Sequence, residues 1–136
     1  MNVALDIVVA AGSKPKVILL EDEELLSGFF ADWIHECLTD ADLAVFENGD
    51  EAWRELCRTR ADLFITDELH PGMLGTKIIS RLAKAGVKCS ILLISGGANY
   101  QIPPLDDRPG LKVEVLPKPF SREQFQHKLN LLAGEE

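Results

Sequence analysis

Basic side chains are in short supply: 14 Lys and Arg face 22 Asp and Glu in 136 residues, a formal charge of −8. A surface with that balance repels phosphate backbones and anionic lipid, which argues against nucleic acid or a membrane as the partner. Cysteine is scarce too. Three thiols, Cys37, Cys57 and Cys89, none in a CxxC pair, give no disulfide framework and signal no zinc site. Each lies in an apolar-periodic segment and reads as a small core residue. Reduced thiols without an export signal point to the cytoplasm. The apolar run at 3–11 is short, carries Asp6 and lacks a basic start, so it matches neither a signal peptide nor a membrane span. Also missing are a Walker-type glycine loop, a triad spacing around Ser or Cys, an internal repeat and any low-complexity stretch.

What is present is the balance of a folded domain, 46% hydrophobic and 26% charged residues, in a chain long enough for one core and too short for two. We divide it into an N-terminal arm at 1–15, a domain at 16–132 and a tail at 133–136. Within the domain, short apolar runs alternate with helically spaced stretches. KVILL (16–20), DLAVF (42–46), DLFIT (62–66), CSILLI (89–94) and LKVEVL (111–116) suit strands, the middle ones buried on both faces. Leu26, Phe30, Trp33, Ile34 and Cys37 form one helical stripe; Ala52, Trp53, Leu56 and Cys57 form a second; Ile78, Ile79, Leu82 and Ala83 form a third. Gly86 suits the end of that third helix. A last helix starts at Ser121 with the capping box S-R-E-Q and turns Phe125, Leu129 and Leu132 inward. Alternation of this kind predicts an α/β fold, a parallel five-stranded sheet with right-handed crossovers and helices on both faces. One crossover is irregular. Between Ser95 and Leu111, Pro103 and Pro104 break any helix begun at Ala98, so a fourth helix there is short or absent.

Ligands of open parallel sheets bind outside the carboxyl ends of the strands. On this chain those ends bring Glu21 and Asp22 (strand one), Asp67 (strand three), Ser95 (strand four) and Lys118 (strand five), whereas Glu47 and Asn48 after strand two look ordinary. Each has a plain structural reading: the acids cap a helix, Ser95 makes a turn, Lys118 is a solvated surface amine. Together they form a chemically coherent set. Clustered carboxylates need a cation, and hard oxygen donors with open positions suit Mg²⁺. A carboxylate beside it can attack phosphorus, while an ammonium and a hydroxyl neutralise the transferring oxygens. His70 lies near Asp67 in sequence; His35 and His127 fall on helix faces turned outward, and Trp33 and Trp53 on core stripes.

Four segments, KVILLEDEE (16–24), DLFITDELHPGMLG (62–75), ILLISGG (91–97) and VLPKPF (115–120), resemble the receiver domain of two-component response regulators over residues 16–132. The resemblance implies a flavodoxin-like three-layer sandwich with strand order 2-1-3-4-5. By position it makes Asp67 the phosphoacceptor, Ser95 the switch hydroxyl and Lys118 the lysine of the K-P pair. It assigns Mg²⁺ to Asp22, Glu21, Asp67 and the backbone carbonyl of Leu69. It implies a cis Lys118–Pro119 bond, with Pro71 and Gly75 matching the turn after the acceptor. The expected function is acceptance of a phosphoryl group from a histidine kinase or histidine phosphotransfer protein, and signalling through altered binding of a downstream protein or, with a homodimer left open, of a second copy. It is a signalling domain rather than an enzyme acting on a separate substrate.

The chain departs from the family pattern in two places. The aromatic residue often found three positions before the lysine is Val115 here, and the region of helix four is rich in proline. Both touch the usual output surface, so movement of residues 96–110 is the expected route of signalling. Two alternatives stand beside this reading: a receiver-like interaction domain no longer phosphorylated, and a small phosphoryl hydrolase using the same acids. No cap domain supports the latter.

Overall fold

The structure, a computed structural model, describes residues 14–68, 70–96 and 110–132. Its elements follow in the order β1 (Lys16–Leu20), α1 (Glu24–Cys37), β2 (Asp42–Phe46), α2 (Gly49–Arg58), β3 (Leu63–Asp67), α3 (Gly75–Lys84), β4 (Cys89–Ser95), β5 (Leu111–Pro117) and α4 (Arg122–Leu132). The five strands form one sheet in the order β2-β1-β3-β4-β5, every pairing parallel. The predicted α/β sandwich and strand order are therefore present. Central β3 and β4 are buried along almost their whole length and edge strand β2 is half-exposed, because only inner strands have neighbours on both sides.

Strand periodicity sorts the core into two layers. Val17, Leu19, Leu63, Ile65, Leu92 and Ile94 point to one face, where Phe30 and Ile34 of α1 and Phe125, Leu129 and Leu132 of α4 cover them. Ile18, Leu20, Phe64, Ile91 and Leu93 point to the other, beneath Ala52 of α2 and Ile78, Ile79 and Leu82 of α3. The α1–α4 layer is the more aromatic: Phe30 stacks on Phe125 with centroids 5.4 Å apart and on Phe120 at 5.8 Å, and Trp33 meets Phe125 edge-on at 5.5 Å. Such pairs add to area burial through their quadrupoles.

Local signals act as their chemistry directs. The Ser121 amide donates to Gln124 Oε1 (2.8 Å) and the Gln124 amide to Ser121 Oγ (3.1 Å), closing the capping box. Gly86, at φ 72°, ends α3 in the left-handed conformation that a side chain would resist.

Some expectations shift. Cys89 is buried and Cys37 half-buried, but Cys57 is exposed and is not a core residue. Its stripe is narrower than the spacing suggested, since Ala52, Trp53 and Leu56 already fill the space over the sheet. Strands three and four run one residue further than their apolar runs, so Asp67 and Ser95 close the strands rather than follow them. The arm, apart from Lys14 and Pro15, the tail, the Leu69 carbonyl and the crossover at 97–109 lie outside the described residues.

Candidate functional site

Parallel pairing puts all five strand ends on one edge of the sheet, and register fixes how deep each side chain sits. Asp67 ends β3 opposite Ile94, and Ser95, one residue later on β4, lies opposite Pro117. The amide of Lys118 then donates to the Ser95 carbonyl (3.1 Å), which turns the lysine back over the sheet end. Its ammonium donates to Asp67 Oδ2 at 2.7 Å, across 51 residues of sequence. The Lys118–Pro119 bond is cis. On the other side, Glu21 leaves β1 with its amide bound to the Phe46 carbonyl (3.0 Å), and its Oε2 accepts from the Glu23 amide (3.1 Å).

The five residues differ in exposure. Glu21, Asp67 and Ser95 are buried at 2%, 4% and 3%, whereas Asp22 is exposed and Lys118 is partly so. Loss of hydration raises the Glu21 carboxyl to about 7, aided by the negative charges of Asp67 and Asp22 and opposed by the Glu23 amide and Lys118. For Lys118, burial works against the charge. The hydrogen bond and charge of Asp67, with Glu21 and Glu23 behind them, outweigh it and hold the ammonium above its ordinary value.

Negative charge therefore exceeds what the chain itself neutralises at this edge. Glu21 Oε1 is buried and has no hydrogen-bond partner, the feature a cation would satisfy. Hard carboxylate oxygens beside an exposed Asp22 fit Mg²⁺, which keeps waters and needs few protein ligands. Among the described residues no three His, Cys, Asp or Glu side chains are already arranged to chelate a metal. Glu21 Oε2 and Asp67 Oδ2 both face partners within the chain.

Several residues around Asp67 are not read from sequence patterns. Glu68, only 5% exposed, reaches the start of α3, where its two oxygens accept from the Thr76 amide (2.9 Å) and hydroxyl (2.8 Å). Thr66 Oγ1 donates to the Asp67 carbonyl (2.7 Å), and a Cβ on Gly75 would stand 2.6 Å from Thr66 Oγ1 and 3.0 Å from that carbonyl. Asn48, set aside as ordinary, accepts from the Asp50 amide at the start of α2 (2.8 Å). The following Gly49 amide donates to the Pro71 carbonyl (2.8 Å), and Asp50 Oδ1 accepts from the Met73 amide (3.1 Å). The only local signal was N-G-D before a helical stripe, which announces a cap and says nothing about the loop it meets. His70 is half-buried, with Nδ1 3.1 Å from the Pro71 carbonyl.

Residues 17–130 match the family described as response regulator receiver domain. No curated protein matches the chain. Among solved structures, a signal receiver domain from Vibrio parahaemolyticus superposes with a TM-score of 0.74 at 19% identity, over 90% of this chain and 92% of that one. The Francisella response regulator 1452 receiver domain gives 0.71 at 21%, over 89% and 98%. The response regulatory domain of mrkE from Klebsiella pneumoniae gives 0.70 at 19%, over 88% and 95%. At such identities the superpositions speak for the fold.

Proposed function

Since the chain belongs to the response regulator receiver domain family, a family of signalling modules, we propose that it takes a phosphoryl group onto Asp67 and signals through the change this makes at the rim of the sheet. One observation carries the reading: Asp67 is buried at the sheet edge with the Lys118 ammonium 2.7 Å from Oδ2. In the transfer, an Asp67 oxygen attacks phosphorus and an acyl phosphate forms. The P–N bond to a donor histidine breaks, its electron pair staying on the imidazole, which takes a proton from water. Lys118 balances the charge that gathers on the phosphoryl oxygens, and Ser95 offers its hydroxyl from the neighbouring strand end. Asp22, Glu21, Asp67 and the Leu69 carbonyl would hold Mg²⁺, which when bound supplies further positive charge to the same oxygens. Hydrolysis of the acyl phosphate restores the carboxylate.

The donor on this reading is a histidine kinase or histidine phosphotransfer protein. Output is a change in affinity for a downstream protein, a population shift of the kind phosphorylation produces. No helix among the described residues is long and apolar enough to cross a membrane.

Intact-mass measurement after incubation with acetyl phosphate and Mg²⁺ tests the reading. The expected result is one added phosphoryl group, lost in Asp67→Asn. An unmodified wild-type chain would favour the interaction domain that no longer accepts phosphate, the reading to which Val115 lends weight.

A further inference from the structure

The strand end that carries Asp67 continues into a loop, residues 70–74, that belongs to no helix or strand. We infer that Asn48, Gly49 and Asp50 are positioning residues for phosphoryl transfer at Asp67, acting by clasping this loop to the start of α2. The inference rests on the reading of Asp67 as the acceptor. Its observations are independent of that reading.

The clasp has three fastenings. The Gly49 amide donates to the Pro71 carbonyl (2.8 Å), and the Met73 amide donates to Asp50 Oδ1 (3.1 Å). Between them Gly72, at φ 81°, passes directly over Asn48, whose Oδ1 is itself engaged by the Asp50 amide. Contact is so close that a Cβ on Gly49 would land on the Met73 carbonyl, and one on Gly72 on the Asn48 amide group. The first of these obstacles is backbone and has no rotamer by which to move aside.

What the clasp acts upon is the nucleophile. Asp67 and Pro71 are separated by three residues, and the chain between them is pinned again where Glu68 binds Thr76. The clasp and the Glu68–Thr76 bonds hold the chain on both sides of that stretch, and on this inference they limit how far the end of β3, and the Asp67 carboxylate with it, shifts against Lys118. Transfer rates respond steeply to such placement: about 1 Å of misalignment costs on the order of 100-fold. The same contacts matter little to global stability. Asp50, Pro71 and Gly72 are exposed, and the Met73–Asp50 hydrogen bond lies at the surface, where water competes for both partners; only the Gly49 amide is buried. The clasp therefore orders a functional loop far more than it supports the core.

The test uses the full chain with acetyl phosphate as donor and Mg²⁺, measuring the rate of phosphoryl addition against donor concentration, with melting temperatures alongside. Asp50→Ala removes the acceptor for the Met73 amide and is expected to lower the saturating rate roughly 5- to 10-fold while leaving half-saturation within about twofold, a fraction of the full misplacement penalty. Asp50→Asn keeps an oxygen at that point and is expected to restore the rate to within about twofold of wild type, since hydrogen bonding rather than charge is at issue. Gly49→Ala, which forces the loop off, is expected to lose more. Leu132→Ala, in the core at the end of α4, is the stability control: it melts lower yet should keep the wild-type rate. Wild-type rates in both Asp50→Ala and Gly49→Ala would overturn the inference. So would an Asp50→Asn as slow as Asp50→Ala, or rates that simply follow melting temperature across the set, Leu132→Ala included. Absence of any addition to the wild-type chain is a separate outcome, which removes the acceptor reading and this inference with it.

Discussion

Replacing Lys118 with Met keeps the aliphatic stem and deletes the ammonium, leaving two buried acids, Asp67 and Glu21, with one cation fewer between them. The magnitude can be bracketed. Exposed ion pairs contribute below about 1 kcal/mol, whereas breaking a buried pair costs roughly 3–5 kcal/mol. Here the carboxylate is buried at 4% exposure and the lysine side chain is 35% exposed, so solvent screens one partner and not the other. The expected loss is about 2 kcal/mol, equivalent to roughly 8 °C in melting temperature for a domain of this size. Because the pair holds the Lys118 ammonium above its usual value, this stabilisation is complete below the unfolded lysine value of 10.5 and fades only as pH rises through the higher folded one. Urea unfolding at neutral pH in EDTA, carried out as a double-mutant cycle with Asp67→Asn, isolates the pair. Part of the cost of Lys118→Met should persist in the Asp67→Asn background, since Glu21 also feels the lysine. Saturating Mg²⁺ should narrow the difference between wild type and Lys118→Met. A coupling below about 0.5 kcal/mol would refute the view that the pair is desolvated.

Three further outcomes are expected. Glu21 is raised from 4.5 to about 7, so in metal-free protein its contribution is full below 4.5 and lost as pH rises through about 7; the unfolding free energy in EDTA should fall by roughly 2–3 kcal/mol between those limits, and Glu21→Gln should flatten the curve. Gly75→Ala, a substitution that favours helices in general, should instead destabilise by about 1–3 kcal/mol in urea titration, because the new methyl meets Thr66 Oγ1 at 2.6 Å and the Asp67 carbonyl at 3.0 Å. Ellman's reagent should modify exposed Cys57 quickly and reach Cys89, buried with its thiol pushed up to about 12, only on unfolding; fast modification of Cys89 in the folded chain, mapped by peptide mass, would contradict the packing beneath α3.

Much of the architecture was open to reading because its signals are local. A continuous run such as ILLI at 91–94, short and set between helical stretches, reads as an inner strand, a stripe such as Phe30–Ile34 as a helix packed on the sheet, and S-R-E-Q opens α4 by side chains three residues apart. The acidic and basic site residues followed from topology, since parallel strands joined by crossovers must end on the same edge. Cys57 misled because helical spacing gives the direction of a side chain and not whether anything lies over it. Glu68 gave no signal in the sequence because its partner, Thr76, sits eight residues on and only the fold of the chain between them makes the contact.

Sequence alone thus determined the layers, the strand order through its resemblance, and which five side chains stand at the rim, all consequences of periodicity and chain direction. The tertiary structure decided which of those side chains are stripped of water, that Lys118 spans 51 residues to reach Asp67, and that the start of α2 holds the loop after β3, 23 residues away. Burial and long-range hydrogen bonds depend on what the rest of the chain places alongside a residue. No pattern of near neighbours contains that information.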